Sequence, residues 1–494
     1  MDLQQLQSQE FNRPRGDITT VLDQVSRDEQ DNILFPLDAE RTLFAANAER
    51  RVHPFSMSIQ EFPYRGSAEW GGRFTFDLGA VGAGDMLLSV LVQVKLQHWL
   101  PPQILAGLRD GSITYADPSK QFVWANSLGT ALIQSAQLEV GDQTLETVDG
   151  DFANVFAELF PDMNTQLGIA TDALGRYPIV TGVTVPDFPT GPKGYITCIL
   201  PFFFQRTRLK EAFPLLSIRE GTVRVNIQFR AFNELVAKRP PYSRSSCDDT
   251  PVGETFVFNG GLDISGNLQK YTYTCLPEPP QPLDVRLVTY TAVLTGGLRQ
   301  AYLRQPHEML YRETQTFRFD EPLKYKVGKP SGDTVLIQLP LEANGPIEEI
   351  LWFVRRKGAV LQNEWVNYSA VLAVEADPVY NPQNAQGLVV WGKIQANGID
   401  LVTALGDYFR AHIAEKHHGG FVAFSDYIYG YSFARHPGEH QPSGSINVSR
   451  LNSLRLTLEV AQPVPADDWE VVVYCMGLNW VRFENGIVNR VYAD

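Results

Sequence analysis

Several stretches of this chain set reactive residue types at spacings that could do chemistry. His436-Pro437-Gly438-Glu439-His440 spells H-x-x-E-H, the inverted-zincin pattern. That chemistry needs a helix to turn both histidines toward one metal. Pro437 and Gly438 remove the helix, so the segment reads as loop. Gly430-Tyr431-Ser432-Phe433-Ala434 falls one residue short of a nucleophile elbow, which requires a strand feeding a helix. Proline and glycine follow Ala434 instead, so Ser432 reads as a strand residue. His417-His418, ahead of Gly419-Gly420, reads as a solvated loop. Glu348-Glu349 reads as a solvated strand end, because neighbours in a strand face opposite sides and cannot act together as acid and base. Gly82-Ala83-Gly84 lacks the third glycine of a dinucleotide loop and reads as a turn. Asn367-Tyr368-Ser369 and Asn447-Val448-Ser449 fit the sugar-acceptor pattern. Asn367, in an expected loop, is the candidate acceptor, and Asn447 reads as a hydrogen-bonding residue. No catalytic residue, cofactor site or metal site is expected from these patterns.

The elements that position them are strands. Tyr427 to Phe433 is aromatic and β-branched, and Leu454, Leu456 and Leu458 alternate with Arg455, Thr457 and Glu459, as a half-buried strand requires. Between these runs, His436-Pro437-Gly438 and Gln441-Pro442-Ser443-Gly444 are turn chemistry. Two strands joined by a long ordered loop imply a sandwich. From Arg73, RFTFDL alternates in the same way, turns through glycines and re-enters a strand at MLLSVLVQVKL.

The strand pattern repeats. RFTFDL and its successor return about 260 residues later at TVLIQLPLEANGPIEEILWFV. LEVGDQTLETVDGDF from Leu138 matches IQANGIDLVTALGDY from Ile394 at an offset of 256, pairing Leu145 with Leu401, Thr147 with Thr403 and Gly150-Asp151 with Gly406-Asp407. Tyr195 pairs with Tyr427 at 232, and Val288–Tyr290 with Val472–Tyr474 at 184. Four matches in one order describe a tandem duplication. The shrinking offset assigns the first copy an extra 48 residues between Phe232 and Leu283 and an extra 24 in Asp162–Lys193. Both intervals are Gly-, Pro- or Ser-rich, as surface excursions are. Each copy offers about eight strands, with helical patches at DFANVFAELF and DYFRAHIAEKH, which fits an all-β antiparallel sandwich. LRQAYLRQPHEML, with Leu298, Tyr302 and Leu310, suits a short connecting helix.

EHQPSGSINVSR closely resembles the EHQPSG-[TS]-x-N-x-S-R segment of the major capsid proteins of nucleocytoplasmic large DNA viruses. Glu439, His440, Gln441, Pro442, Ser443, Gly444, Asn447, Ser449 and Arg450 carry it. Asn126–Phe152 is similar to that family's N-x-x-G-x-A-L-I-x-S strand pair. Tyr195–Phe229 is similar to its L-P-F-x-F, A-L-P-L and V-x-I-x-F strands. Tyr474–Tyr492 is similar to its ending, with Gly477 and Trp480 departing from it. The resemblance implies two tandem eight-stranded jelly rolls, a double jelly roll. The expected division is an arm over 1–52, a first jelly roll over 53–303 with an insertion loop at 233–282, and a second over 304–494. It further implies a homotrimer whose six jelly rolls form a pseudo-hexameric capsomer tiling an icosahedral capsid. The partners it implies are neighbouring capsomers, minor capsid and penton proteins, and internal membrane-associated proteins. On this reading 233–282 forms an outer tower, 1–50 lies on the inner side, and Gln441–Arg450 braces the second sandwich from within.

The totals agree with a structural role. At 494 residues, 44% hydrophobic, with 28 Phe and 19 Tyr, the chain can fill two cores. With 42 basic against 56 acidic residues the formal charge is −14, the wrong sign for neutralising phosphates, so no direct nucleic-acid binding is expected. Residues 1–50 carry ten acidic residues and five Arg, which excludes a basic genome-binding arm. Cys198, Cys247, Cys275 and Cys475 lack metal-ligand spacing and read as free thiols, Cys247 with Cys275 being the one pair to test. No secretory signal opens the chain. The longest apolar runs reach about half the ~20 residues that span a bilayer. Synthesis and assembly in the host cytoplasm, then residence in the virion capsid, are expected. The alternative is a two-domain β-sandwich that binds carbohydrate, or a hydrolase, using exposed Trp and Tyr.

Overall fold

The apolar alternation seen in the sequence becomes sixteen principal strands. The computed structural model describes residues 53–79, 84–96, 113–114, 122–161, 195–205, 212–238, 256–262, 268–273, 284–320, 334–370, 372, 387–417, 427–461 and 468–492. In the first half these strands are β1 (Phe55–Pro63), β2 (Arg73–Asp77), β3 (Met86–Lys95), β4 (Ile133–Val140), β5 (Gln143–Asp149), β6 (Tyr195–Ile199), β7 (Val223–Phe229) and β8 (Asp284–Leu294). In the second they are β9 (His307–Phe319), β10 (Thr334–Leu341), β11 (Pro346–Arg356), β12 (Val389–Ala396), β13 (Ile399–Leu405), β14 (Ile428–Ser432), β15 (Leu454–Ala461) and β16 (Trp469–Glu484). Three helices matter: α1 (Gly150–Leu159), α2 (Gly296–Arg304) and α3 (Gly406–His417).

Two four-stranded sheets of principal strands make up the sandwich of each half. The first half has the antiparallel orders β1-β8-β3-β6 and β2-β7-β4-β5. The second has β9-β16-β11-β14 and β10-β15-β12-β13. Adding eight to every strand of the first half gives the second. In both, the chain passes between the two sheets in the jelly-roll sequence, so the duplication read from four short matches extends to topology. Those matches fall on β2 and β10, on β4-β5-α1 and β12-β13-α3, on β6 and β14, and on β8 and β16. The extra chain expected between Phe232 and Leu283 lies between β7 and β8. Its described part holds short strands at Val236–Lys238, Phe256–Leu262 and Leu268–Tyr273, where seven or so residues suffice between β15 and β16. The expected excess at Asp162–Lys193, the 1–52 arm, Cys247, Cys275 and His418 lie outside the described residues.

Turn and cap chemistry explains why both copies keep Gly-Asp at the start of a helix. A Cβ on Gly150 would collide with the carbonyl oxygens of Ile133 and Thr130, and one on Gly406 with that of Val389. Each glycine lets the helix begin against its sheet. The β12–β13 hairpin turns on Asn397 and Gly398, with φ of 51° and 80°, the residue pair that a type I′ turn favours.

Inward residues such as Val90, Val92, Val94, Ile337, Leu339, Leu456 and Leu458 fill a hydrophobic core that continues from one half into the other. β3 is buried mainly on one face, whereas every residue of β11 after Pro346 is buried. The sequence does not announce that difference, and it overturns two expectations. Glu348 and Glu349 are enclosed within a sheet and are not a solvated strand end. His417 is a buried residue of the last turn of α3 and not part of a solvated loop. The connecting helix forms as α2, with Leu298 and Tyr302 packed on Met86, Ala292 and Leu294. Leu310 lies beyond it in β9. Ser432 is a strand residue of β14. Cys198 and Cys475 are buried free thiols, each pushed up to about 12 by burial.

Gly150→Ala and Gly406→Ala are each expected to destabilise the chain by about 1–3 kcal/mol through forced overpacking. Gly297→Ala, where a Cβ meets open space in an exposed helix, should be neutral or gain up to about 1 kcal/mol. Denaturant unfolding of the three variants checks both.

Candidate functional site at the junction of the two sandwiches

A set of enclosed and half-buried charged residues meets where the halves join. Asp149 caps α1, accepting from the Phe152 amide at 2.6 Å, and Asp151 follows in the first turn. The second half brings Arg318 from β9 to 2.6 Å from Asp149 and 3.0 Å from Asp151. Arg355 from β11 reaches Asp151 at 2.9 Å and, on its other edge, Glu470 of β16 at 2.5 Å. The Tyr474 hydroxyl donates to Asp149 at 3.0 Å, and its ring meets Phe152 edge-on at 5.1 Å. Burial works to raise the Asp151 carboxyl, but the guanidinium groups of Arg355, Arg230 and Arg318 outweigh it and hold the group well below the usual carboxylate range. Burial likewise pushes the Tyr474 phenol well above its ordinary value.

Further contacts extend this junction. The Trp365 indole donates to the Glu234 carbonyl at 2.8 Å, and Asn363 donates to the carbonyls of Asn233 and Val236. The Arg230 guanidinium lies 3.9 Å from the centre of the Trp365 ring. Asn154 donates to the Tyr368 hydroxyl at 3.2 Å. At the far end Gly486 accepts from the amides of Arg219 and Glu220, and Arg490 donates to the Leu145 carbonyl.

Asn367 belongs to the same buried loop. Its amide nitrogen donates to Glu364 at 2.6 Å, and its oxygen accepts from the Ser369 hydroxyl at 2.7 Å. At 2% exposure it offers no amide to a transferase in the folded chain, so the sugar-acceptor expectation gives way to a structural role.

The EHQPSG segment encloses a second buried ion pair. Arg312 of β9 meets Glu348 at 2.5 Å, both side chains almost fully enclosed, and also donates to the Glu439 carbonyl. Burial raises the Glu348 carboxyl and Arg312 opposes it. Glu348 sits at the irregularity in the β11–β16 pairing between Ile347 and Glu349. Glu349 faces His417 at 2.9 Å. Ser443 clasps the His436 backbone, accepting from its amide at 2.8 Å and donating to its carbonyl at 3.0 Å. Gly444 passes so close to the Phe433 carbonyl that a Cβ would not fit. Ile446 and Asn447 pair with Ile347 and Pro346, and Ser449 accepts from the Gly345 amide at 2.8 Å.

His440, Gln441, Ser443, Asn447, Ser449 and Arg450 are exposed, Glu439, Pro442 and Gly444 half-buried. The segment therefore braces the second sandwich from its surface and not from within. Its polar side chains would find no partners in the apolar interior, and it holds the strands through its backbone and two serines.

Asp149, Asp151, Arg312, Arg318 and Arg355 escaped the sequence reading. The one signal for them is charge inside apolar strand runs, as in Leu351–Arg356. Chemically the junction is a clamp, since its carboxylates are tied to guanidinium groups and Asp151 at its centre is enclosed. The carboxylates of Glu348 and Glu349, the adjacent acids that a hydrolase reading would turn to, are equally enclosed. Among the described residues no cluster of His, Cys, Asp and Glu could hold a metal ion.

The folded Asp151 carboxyl holds its proton more weakly than the unfolded one. Its contribution is complete above about pH 4 and is lost as pH falls further. Asp151→Asn should cost about 3–5 kcal/mol at neutral pH, because it strands buried guanidinium charge. It should also flatten the acid limb of the stability curve, which chemical denaturation from pH 7 to pH 2 measures.

Comparison with known proteins identifies the arrangement. Residues 299–489 match the model of the large eukaryotic DNA virus major capsid protein, and residues 42–252 that of the major capsid protein N-terminus. The major capsid protein of Phaeocystis pouchetii virus is 23% identical, over 90% of this chain and 94% of its own. That of Heliothis virescens ascovirus 3e is 22% identical, over 93% and 92%. Among solved structures, PBCV-1 VP54 has a TM-score of 0.63 at 17% identity, covering 91% of this chain and 100% of that one. The Faustovirus major capsid protein has 0.56 at 13%, covering 94% and 97%. Two sandwiches of one strand order, clamped by buried ion pairs and matched along both halves, show that the chain belongs to the major capsid proteins of large eukaryotic DNA viruses, a family of structural proteins and not enzymes.

Proposed function

We propose that the chain assembles as a homotrimer, a pseudo-hexameric capsomer that tiles the faces of an icosahedral capsid. The observation that carries this reading is the repeated sheet order. A chain with two equivalent sandwiches in fixed relation gives a threefold assembly six similar lobes, which pack hexagonally while each chain makes one kind of cyclic contact. The buried clamp supports it, because lobes that pivoted freely would not hold a fixed angle.

Within this reading the first jelly roll runs over 53–303 and the second over 304–494. The excursion 233–282 rises as a tower on the outer side. Residues 1–50 lie on the inner side, toward minor capsid proteins and adjacent capsomers, and the assembled shell further meets penton proteins and internal membrane-associated proteins. Synthesis and assembly take place in the host cytoplasm. The Glu439–Arg450 segment acts as the surface brace of the second sandwich.

Sedimentation of the purified full chain should return about three times its 55.3 kDa, and electron microscopy should show six-lobed particles. A stable monomer overturns the reading. Deleting residues 240–270 should leave the far-ultraviolet dichroism of a folded β protein, and an insoluble product contradicts the tower.

A further inference from the structure

The two copies differ most in what covers them. α1 is buried along its whole length, because the second sandwich lies on it. Its counterpart α3 buries only Gly406, Phe409, Ile413 and His417. The preceding strands differ likewise. Leu145 of β5 is 2% exposed, whereas Leu401, its equivalent in β13, is 41% exposed and Leu405 66%. Phe152 is buried and its equivalent Tyr408 is 47% exposed.

The complementary surface shows the same asymmetry in reverse. Tyr474 of β16, which receives Phe152 inside the chain, is wholly buried. Tyr290 of β8, its equivalent, is 41% exposed. Beside it, Ile59 pairs with Tyr290 on β1 as Thr316 pairs with Tyr474 on β9. Ile59, Met57 and Phe55 alternate along that edge strand, all exposed.

Each half thus has a surface that is used within the chain in one copy and left open in the other, and the two open surfaces are the two sides of one contact. We infer that the β13–α3 surface around Leu401, Leu405 and Tyr408 seats on the outer face of β1 and β8 around Ile59 and Tyr290 of a second copy of this chain, repeating between chains the junction made within one. Because each chain carries one of each surface, the contact is head-to-tail, and the threefold rotation of the trimer reading closes it into a ring. The inference rests on the trimer reading above and names the surface that forms it.

The substitutions at equivalent positions are consistent with a contact made between separately folded chains. Leu405 stands where Asp149 does, and Ile59 where Thr316 does. Glu61 and Gln93 replace Arg318 and Arg355, as their partners Val288 and Arg286 show. Leu405 and Ile59 add apolar area at the contact, while Glu61, Arg286 and Asp407 keep charge at its edge. Asp407, the equivalent of Asp151, keeps its charge. Arg286, 3.3 Å from Glu61 on the neighbouring strand, is the cation placed to meet it.

The test uses the full-length chain. Tyr408→Asp and Ile59→Asp, made separately, should each convert the trimer to a single-chain species on sedimentation, with unchanged far-ultraviolet dichroism. A double variant, Tyr290→Cys with Tyr408→Cys, treated with a short bismaleimide, should give a denaturing-gel ladder ending at three chains, where either single variant does not. If the unsubstituted chain is trimeric yet both charged variants stay trimeric and the double variant gives no ladder, this surface is wrong while the trimer reading stands. If the unsubstituted chain is a monomer, both fall. Should a charged variant fail to fold, the cross-linking result decides alone.

Discussion

Asp151 cannot be buried unless the two halves of the chain are in register. A carboxylate removed from water is tolerated only with opposite charge and hydrogen bonds around it; Arg230 supplies part of the charge, but the direct ion pairs come from Arg318 and Arg355, more than 160 residues further on. Arg355 in turn is satisfied by Glu470 on the neighbouring strand. One set of charges therefore ties α1 of the first sandwich to three strands of the second. An apolar contact could slide by a residue at modest cost, whereas this one cannot, since every displacement leaves a buried ion without its partner. The clamp specifies an angle more than it adds stability.

The remainder of the molecule is arranged to present that angle. β11 is buried on both faces, so the charges at its two ends, Glu348, Glu349 and Arg355, each need a partner inside. The Glu439–Arg450 segment closes over Arg312 and Glu348 at the irregular end of the same strand, so the segment that marks the family and the buried pair beneath it form one device. Gly150 and Gly406 allow equivalent helices to start against equivalent sheets, and what differs between the copies is only what lies on top.

Much of this was legible in the residues. Alternation such as Leu454, Leu456 and Leu458 located strands, and the Gly150-Asp151 and Gly406-Asp407 matches located the repeat, because both follow from local geometry that side-chain order reveals. Coverage was not legible. Glu348-Glu349 and His417 carry the composition of a solvated edge, and only the packing of a second layer makes them interior. Asn367 fits an acceptor pattern whose three letters say nothing of burial. The EHQPSG segment is recognisable as a unit, but its letters do not reveal that its polar side chains lie at the surface, where their hydrogen-bonding needs are met.

The two described thiols have a consequence for the life of such a particle. A sulfur reacts with oxidants or exchanges with disulfides as its anion. Cys198 and Cys475 are closed to solvent and kept protonated at any physiological acidity. Passage between reducing and oxidising surroundings leaves both unchanged, so at these two positions the wall needs neither a chaperoned redox step to mature nor a reductant to come apart.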